Sequence, residues 1–253
     1  MKPPEDHQFS HHMETLTRSL VHDGRFAEAK RVKAEAIAYG FNFRPEWLRM
    51  ALTQRDWNEA ARIIEPLRKT DRTNAAYFGA LLALEKGDTS RAAAEIDTLR
   101  EAQKTRKSDK TLEVKLWEVQ GRHLCQTGQG EAGLKLLKRV IDKTKDDYKH
   151  HAWGNGAVYM ESWGLAALDA GHAKDAEEAF QEALAHDSGS VRGALGMWAV
   201  CSRLGRHEEA ARYLKVAQRC WSRAAAKDFE SLKDLVAEKA TKLPQTTTAA
   251  EGQ

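Results

Sequence analysis

The sequence predicts an all-α fold, arranged as a solenoid of about six antiparallel helix pairs with a C-terminal capping helix. Three observations carry this. Alanine, leucine, glutamate, lysine and arginine dominate, all strong helix formers, and only Pro45 and Pro66 interrupt the chain away from its ends. No window reads as a continuous β-branched strand. Finally, one turn-and-helix signature recurs along the chain at intervals that fit two helices and their connections.

In that signature a residue suited to a tight turn is followed five positions later by a small residue. The pairs are Gly24 and Ala29, Arg55 and Ala60, Gly87 and Ala92, Gly128 and Gly133, Gly171 and Ala176, and Gly205 and Ala210. Turn to turn the spacings are 31, 32, 41, 43 and 34 residues. A residue in the left-handed conformation ends one helix, and the small residue lets the next helix approach it closely. A single hairpin cannot bury its apolar stripe, so neighbours must stack.

The paired helices are predicted at 8–22 with 25–38, 45–54 with 56–69, 73–86 with 88–103, 111–127 with 129–144, 156–170 with 173–186, and 190–204 with 206–222. A last helix, 226–240, carries Phe229, Leu232, Leu235 and Val236 at helical spacing and is expected to cap the final pair. The domain layout is an N-terminal extension at 1–7, one solenoid at 8–240 and a disordered tail at 241–253. The two long spacings place irregularities near 104–110 and 145–155, where Gly154-Asn155-Gly156 marks a loop.

The fifth unit carries a family resemblance. Gly164, Gly171, Ala176, Phe180 and Ala183 have the spacing of the tetratricopeptide repeat, and residues 158–222 resemble that family most. Gly205, Ala210, Leu214 and Ala217 continue the pattern in the sixth unit, where Trp198 stands at a position usually held by glycine. The resemblance implies a right-handed solenoid whose first helices line a concave, peptide-binding groove. The sequence is also compatible with the C-terminal half of a longer repeat protein, because repeat-like sequence begins by residue 8.

Net charge is +3, from 40 basic and 37 acidic residues, without the concentrated basic excess of a nucleic-acid binder. No run of about 18 apolar residues spans a membrane, and the N-terminus has no signal-peptide core. A complete chain is therefore expected in the cytoplasm; for a fragment of a secreted precursor the location is unknown. Cys125, Cys201 and Cys220 read as small buried apolar residues.

Catalytic motifs are missing, so no enzyme activity and no cofactor are expected. The alternative is a metal-dependent or catalytic solenoid using His7, His11 and His12. His7 and His11 share a helix face, but no second anchoring motif accompanies them.

The family's groove-facing spacing selects Arg18, Asn42, Arg49, Asn74, Tyr77, Lys115, Arg122, Glu161, Arg192 and Arg203 as candidate binding residues. Arg18, Arg49 and Arg122 each precede their turn residue by six positions, a recurrence that would form a ladder projecting away from the core. Guanidinium forks grip carboxylates and carbonyls, so the expected partner is a protein or peptide that is acidic or ends in a free carboxylate. The competing reading pairs these arginines with Glu14, Glu118 and Glu161. Oligomeric state is not readable.

Overall fold

A computed structural model describes residues 7–41, 43–145 and 156–245. The regular structure among them is entirely helical. In order, the helices are α1 (His7–His22), α2 (Phe26–Ala38), α3 (Pro45–Thr53), α4 (Trp57–Ile64), α5 (Leu67–Thr70), α6 (Arg72–Glu85) and α7 (Thr89–Thr105). Then follow α8 (Lys110–Gln126), α9 (Gly130–Thr144), α10 (Gly156–Ala170), α11 (Ala173–His186), α12 (Val191–Arg203), α13 (His207–Cys220) and α14 (Ala226–Ala240).

Five helix starts have a side-chain cap. The carboxylates of Asp56, Asp71, Asp88 and Asp109 and the hydroxyl of Ser190 accept from the backbone N–H three residues on, satisfying a donor the helix leaves open. The first helix of each pair stops at the repeated turn. Gly24, Gly87, Gly128, Gly171 and Gly205 have φ between 71° and 85°, and Arg55 takes the same left-handed conformation at 54°. The N–H after each turn residue donates to a carbonyl five residues back, as from Arg25 to Leu20 and from Arg206 to Cys201. This 6→1 bond closes the helix end. All six turn residues are where the sequence puts them.

The small residues five positions on are buried without exception: Ala29, Ala60, Ala92 and Ala176 are 0% exposed and Ala210 is 5% exposed. Gly133 lies so close to α8 that an added Cβ would sit 2.5 Å from the Gly121 carbonyl oxygen.

One predicted helix is broken. The stretch expected at 56–69 ends at Ile64 and restarts as the single turn Leu67–Thr70. Pro66 has no N–H to donate and its ring crowds the preceding turn. At 104–110 the extra residues mostly lengthen α7 and α8, leaving four residues between Thr105 and Lys110. The loop expected at 145–155 lies almost wholly outside the described residues, as do residues 1–6 of the predicted extension and 246–253 of the predicted tail.

Backbone proximity divides the chain into two units, residues 1–102 with 221–232, and residues 103–220 with 233–253. In the first, α1 packs on α2 and α3, α3 on α4, and α4 and α5 on α6. Its core includes Phe26, Trp47, Leu48, Met50, Ile64, Leu84, Ile96 and Leu99. Trp221 joins this unit: its ring meets Phe26 edge-on at 5.3 Å, and Nε1 donates to the His22 carbonyl at 2.8 Å.

In the second unit α8 packs on α9, both touch α10, and α10, α11, α12 and α13 follow in sequence. Phe180, 0% exposed, is wedged between Gly164 of α10 and Gly196 of α12. Glycine inside a helix costs about 1 kcal/mol relative to alanine. Here it is the condition for seating an aromatic ring between neighbouring helices.

Helix α14 is present at 226–240, as predicted. It is not simply a cover for the last pair. Its first half belongs to the first unit, where Gln54 donates to Asp228 at 2.8 Å and the Ser231 hydroxyl to the Thr53 carbonyl at 2.9 Å. Its second half packs on α10 and α12, with Lys239 bonded to Asp169 and Lys233 over the Trp198 ring. No helix among the described residues is long and apolar enough to cross a membrane.

Candidate functional site

The candidate residues fall in both units. In the first, Arg18 sits on α1, and its Nη2 donates to Glu14 at 3.0 Å and its Nε to Glu46 at 3.1 Å. It therefore ties α1 to α3, and one of its two partners is a glutamate the competing sequence reading named. Arg49 is half-buried on α3. Asn74 closes the start of α6, its side-chain amide donating to Asp71 at 2.6 Å. Tyr77 is only 7% exposed and packs on Phe78 with ring centroids 4.9 Å apart. Asn42 lies outside the described residues.

The second unit gathers the rest. Helices α8, α10 and α12 lead the three hairpins, and α10 touches both of the others. Lys115 is half-buried on α8. Glu118 and Arg122 are 2% and 6% exposed, Glu161 4% and Arg192 9%. Charges are seldom buried so deeply unless compensated. For Glu161 the compensation is visible: the Ser190 hydroxyl donates to Oε1 at 2.7 Å, and Arg192 Nε lies 4.0 Å from Oε2. Ser190 also caps α12, so one hydroxyl serves both the helix start and the carboxylate. The expectation that the arginines project away from the core does not hold for Arg122, whose side chain belongs to the packed interior.

At the C-terminal ends of α10 and α12 the side chains hold a stretch of this chain's own backbone. Asp169 Oδ2 accepts from Gln126 Nε2 at 3.2 Å and from Lys239 Nζ at 2.8 Å, and the Asp169 and Lys239 side chains are both 11% exposed. Arg203 Nη2 donates to the carbonyls of Thr241 and Leu243, at 3.1 and 2.7 Å. Leu243 is 2% exposed, so the packed chain runs past the predicted tail boundary at 241. Sequence reasoning selected Arg203 but missed its ligand. The available signal was Leu243, an isolated leucine three residues beyond a helix that already ends in lysine and alanine.

His11 and His12 are exposed on α1 with ring centroids 6.2 Å apart. His7 begins the same helix. Among the described residues no group of three or more His, Cys, Asp or Glu is placed to hold a metal ion.

Cys125 and Cys201 are 2% and 0% exposed. Burial, with Asp169 next in importance, pushes the Cys125 thiol up to about 12, and burial also raises Cys201. Thiols held in the protonated form are poor nucleophiles.

Comparison with protein families, curated proteins and solved structures finds no match.

Proposed function

We propose that this chain is a protein-binding scaffold of tetratricopeptide type, a right-handed solenoid of about six helix pairs whose first helices line a peptide-binding groove. The repeated left-handed turn with its buried small residue supports the repeat class. The observation that carries the function is the capture of Lys239–Leu243 in the second unit. There an aspartate takes a lysine, and an arginine takes two backbone carbonyls. Side chains that recognise one stretch of peptide in this way have the chemistry to recognise another. The partner in this reading is a peptide presenting carbonyls or carboxylates to guanidinium forks, with Arg49 as the contact on α3.

The test begins with capture of partners by the purified full chain and their identification by mass spectrometry. Titration of the isolated partner peptide follows, into wild type and Arg49→Lys at two ionic strengths. Lysine keeps the charge and loses the fork, so binding should fall about tenfold, and further in high salt, with the melting temperature unchanged. Unchanged binding with a lowered melting temperature would instead make Arg49 a structural brace and move the binding surface elsewhere.

A further inference from the structure

A cavity of about 290 Å³ opens in the first unit between α5, α6 and α7. Arg68, Arg72, Arg91 and Glu95 line it, with Thr98 and three alanines completing the wall. Three guanidiniums against one carboxylate leave the lining with a net charge of +2. Glu65 approaches Arg68 from outside the lining, Oε2 lying 3.5 Å from Nε.

The arrangement is built from beneath. Glu95 is 6% exposed, and its Oε1 accepts from Arg68 Nη2 at 3.1 Å and from Arg91 Nη2 at 2.9 Å. Gly79, inside α6, makes the room: an added Cβ there would lie 2.8 Å from that same oxygen. One buried carboxylate thus sets two guanidiniums side by side, each keeping most of its five N–H donors uncommitted. Arg72, exposed at the first position of α6, makes no ion pair among the described residues. Guanidiniums in such a cluster match the oxygens of a phosphate, whose charge of roughly −1.5 to −2 balances the lining. The volume suits a small ligand.

We propose that this cavity binds a small phosphomonoester, its phosphate held by Arg68, Arg72 and Arg91. The site is independent of peptide binding by the first helices.

The test is calorimetric titration of the full chain with phenyl phosphate, and with benzoate as a monoanion on the same apolar ring. Phenyl phosphate should bind saturably in the range of about 0.1–1 mM, and benzoate at least tenfold more weakly. Arg72→Gln, at an exposed position, should weaken phenyl phosphate about tenfold. Glu95→Gln should weaken it too, despite making the cavity more positive, because the guanidiniums lose their anchor. Arg31→Gln, a 79%-exposed arginine on α2, should change nothing. No saturation by about 10 mM, equal binding of benzoate, or an equal loss in Arg31→Gln would each overturn the proposal.

Discussion

Replacing Gly196 by alanine should destabilise the second unit, although alanine is the better helix former. On an exposed helix the exchange would gain about 1 kcal/mol. Here the new Cβ would stand 2.4 Å from Cδ2 and Cε2 of Phe180 and 2.5 Å from Cδ1. Carbon atoms in comfortable contact are about 3.5–4.0 Å apart, so the ring would have to retreat by about 1 Å. Its retreat is blocked by Gly164, where an added Cβ would already be 2.5 Å from Cε1. Overpacking of this kind costs about 1–3 kcal/mol against the propensity gain of about 1 kcal/mol, which leaves a net loss of up to about 2 kcal/mol. Urea unfolding followed by both circular dichroism and tryptophan fluorescence would measure it, with coincident curves licensing a two-state treatment. Phe180→Leu removes the ring, so the double variant should be more stable than the sum of the single losses predicts, by about 0.5–3 kcal/mol. If Gly196→Ala is as stable as wild type, or if the two losses simply add, Phe180 is not wedged between these glycines.

Arg55→Gly should raise the melting temperature by about 1–4 °C: an L-residue in the left-handed region costs about 1–2 kcal/mol, partly offset by glycine's greater freedom when unfolded. No rise in a thermal scan would mean that the Arg55 side chain contributes as much as its backbone costs. A thiol reagent at pH 8 should modify Cys220 first: burial raises all three thiols, but Cys125 and Cys201 are buried out of reach while Cys220 is half-buried; rapid modification of all three in the native protein would contradict that burial. Arg206 bonds both Glu209 oxygens, at 2.8 and 2.7 Å, and holds its carboxyl below the usual range. A group depressed in this way adds stability above its unfolded value, near 4.5, and loses it as pH falls through the folded one. Glu209→Gln should therefore flatten the acid limb of the stability curve while leaving the alkaline limb alone.

The hairpins were legible because their requirements are local. A left-handed residue and a small residue five positions later are backbone demands that few side chains meet, and they survive at Arg55 and Gly133 where the rest of the pattern is weak. Pro66 lies ten residues into the helix expected at 56–69, and a ring that crowds the preceding turn breaks that helix after Ile64. The polar face was legible only as a set of positions. Whether Arg122 and Glu161 are groove or interior depends on what packs over them, and helical spacing is silent on that. Arg18 shows the same limit: Glu14, four residues away, could be read from the sequence, whereas Glu46 arrives from another helix. Least readable were Trp221 and the stretch after Ala240, whose partners lie up to 199 positions away.

That distance governs how the protein is made. The N-terminal unit of 1–102 takes in residues 221–232, and Trp221 closes over Gly24, where an added Cβ would lie 2.6 Å from its ring. On the ribosome the first hairpins emerge long before the tryptophan that completes them, and contacts so remote in sequence form late because chain closure must come first. During synthesis the surface around Gly24 and Phe26 therefore stands open to chaperones, and a nascent chain arrested before residue 221 should be markedly more sensitive to protease at its beginning than the finished protein.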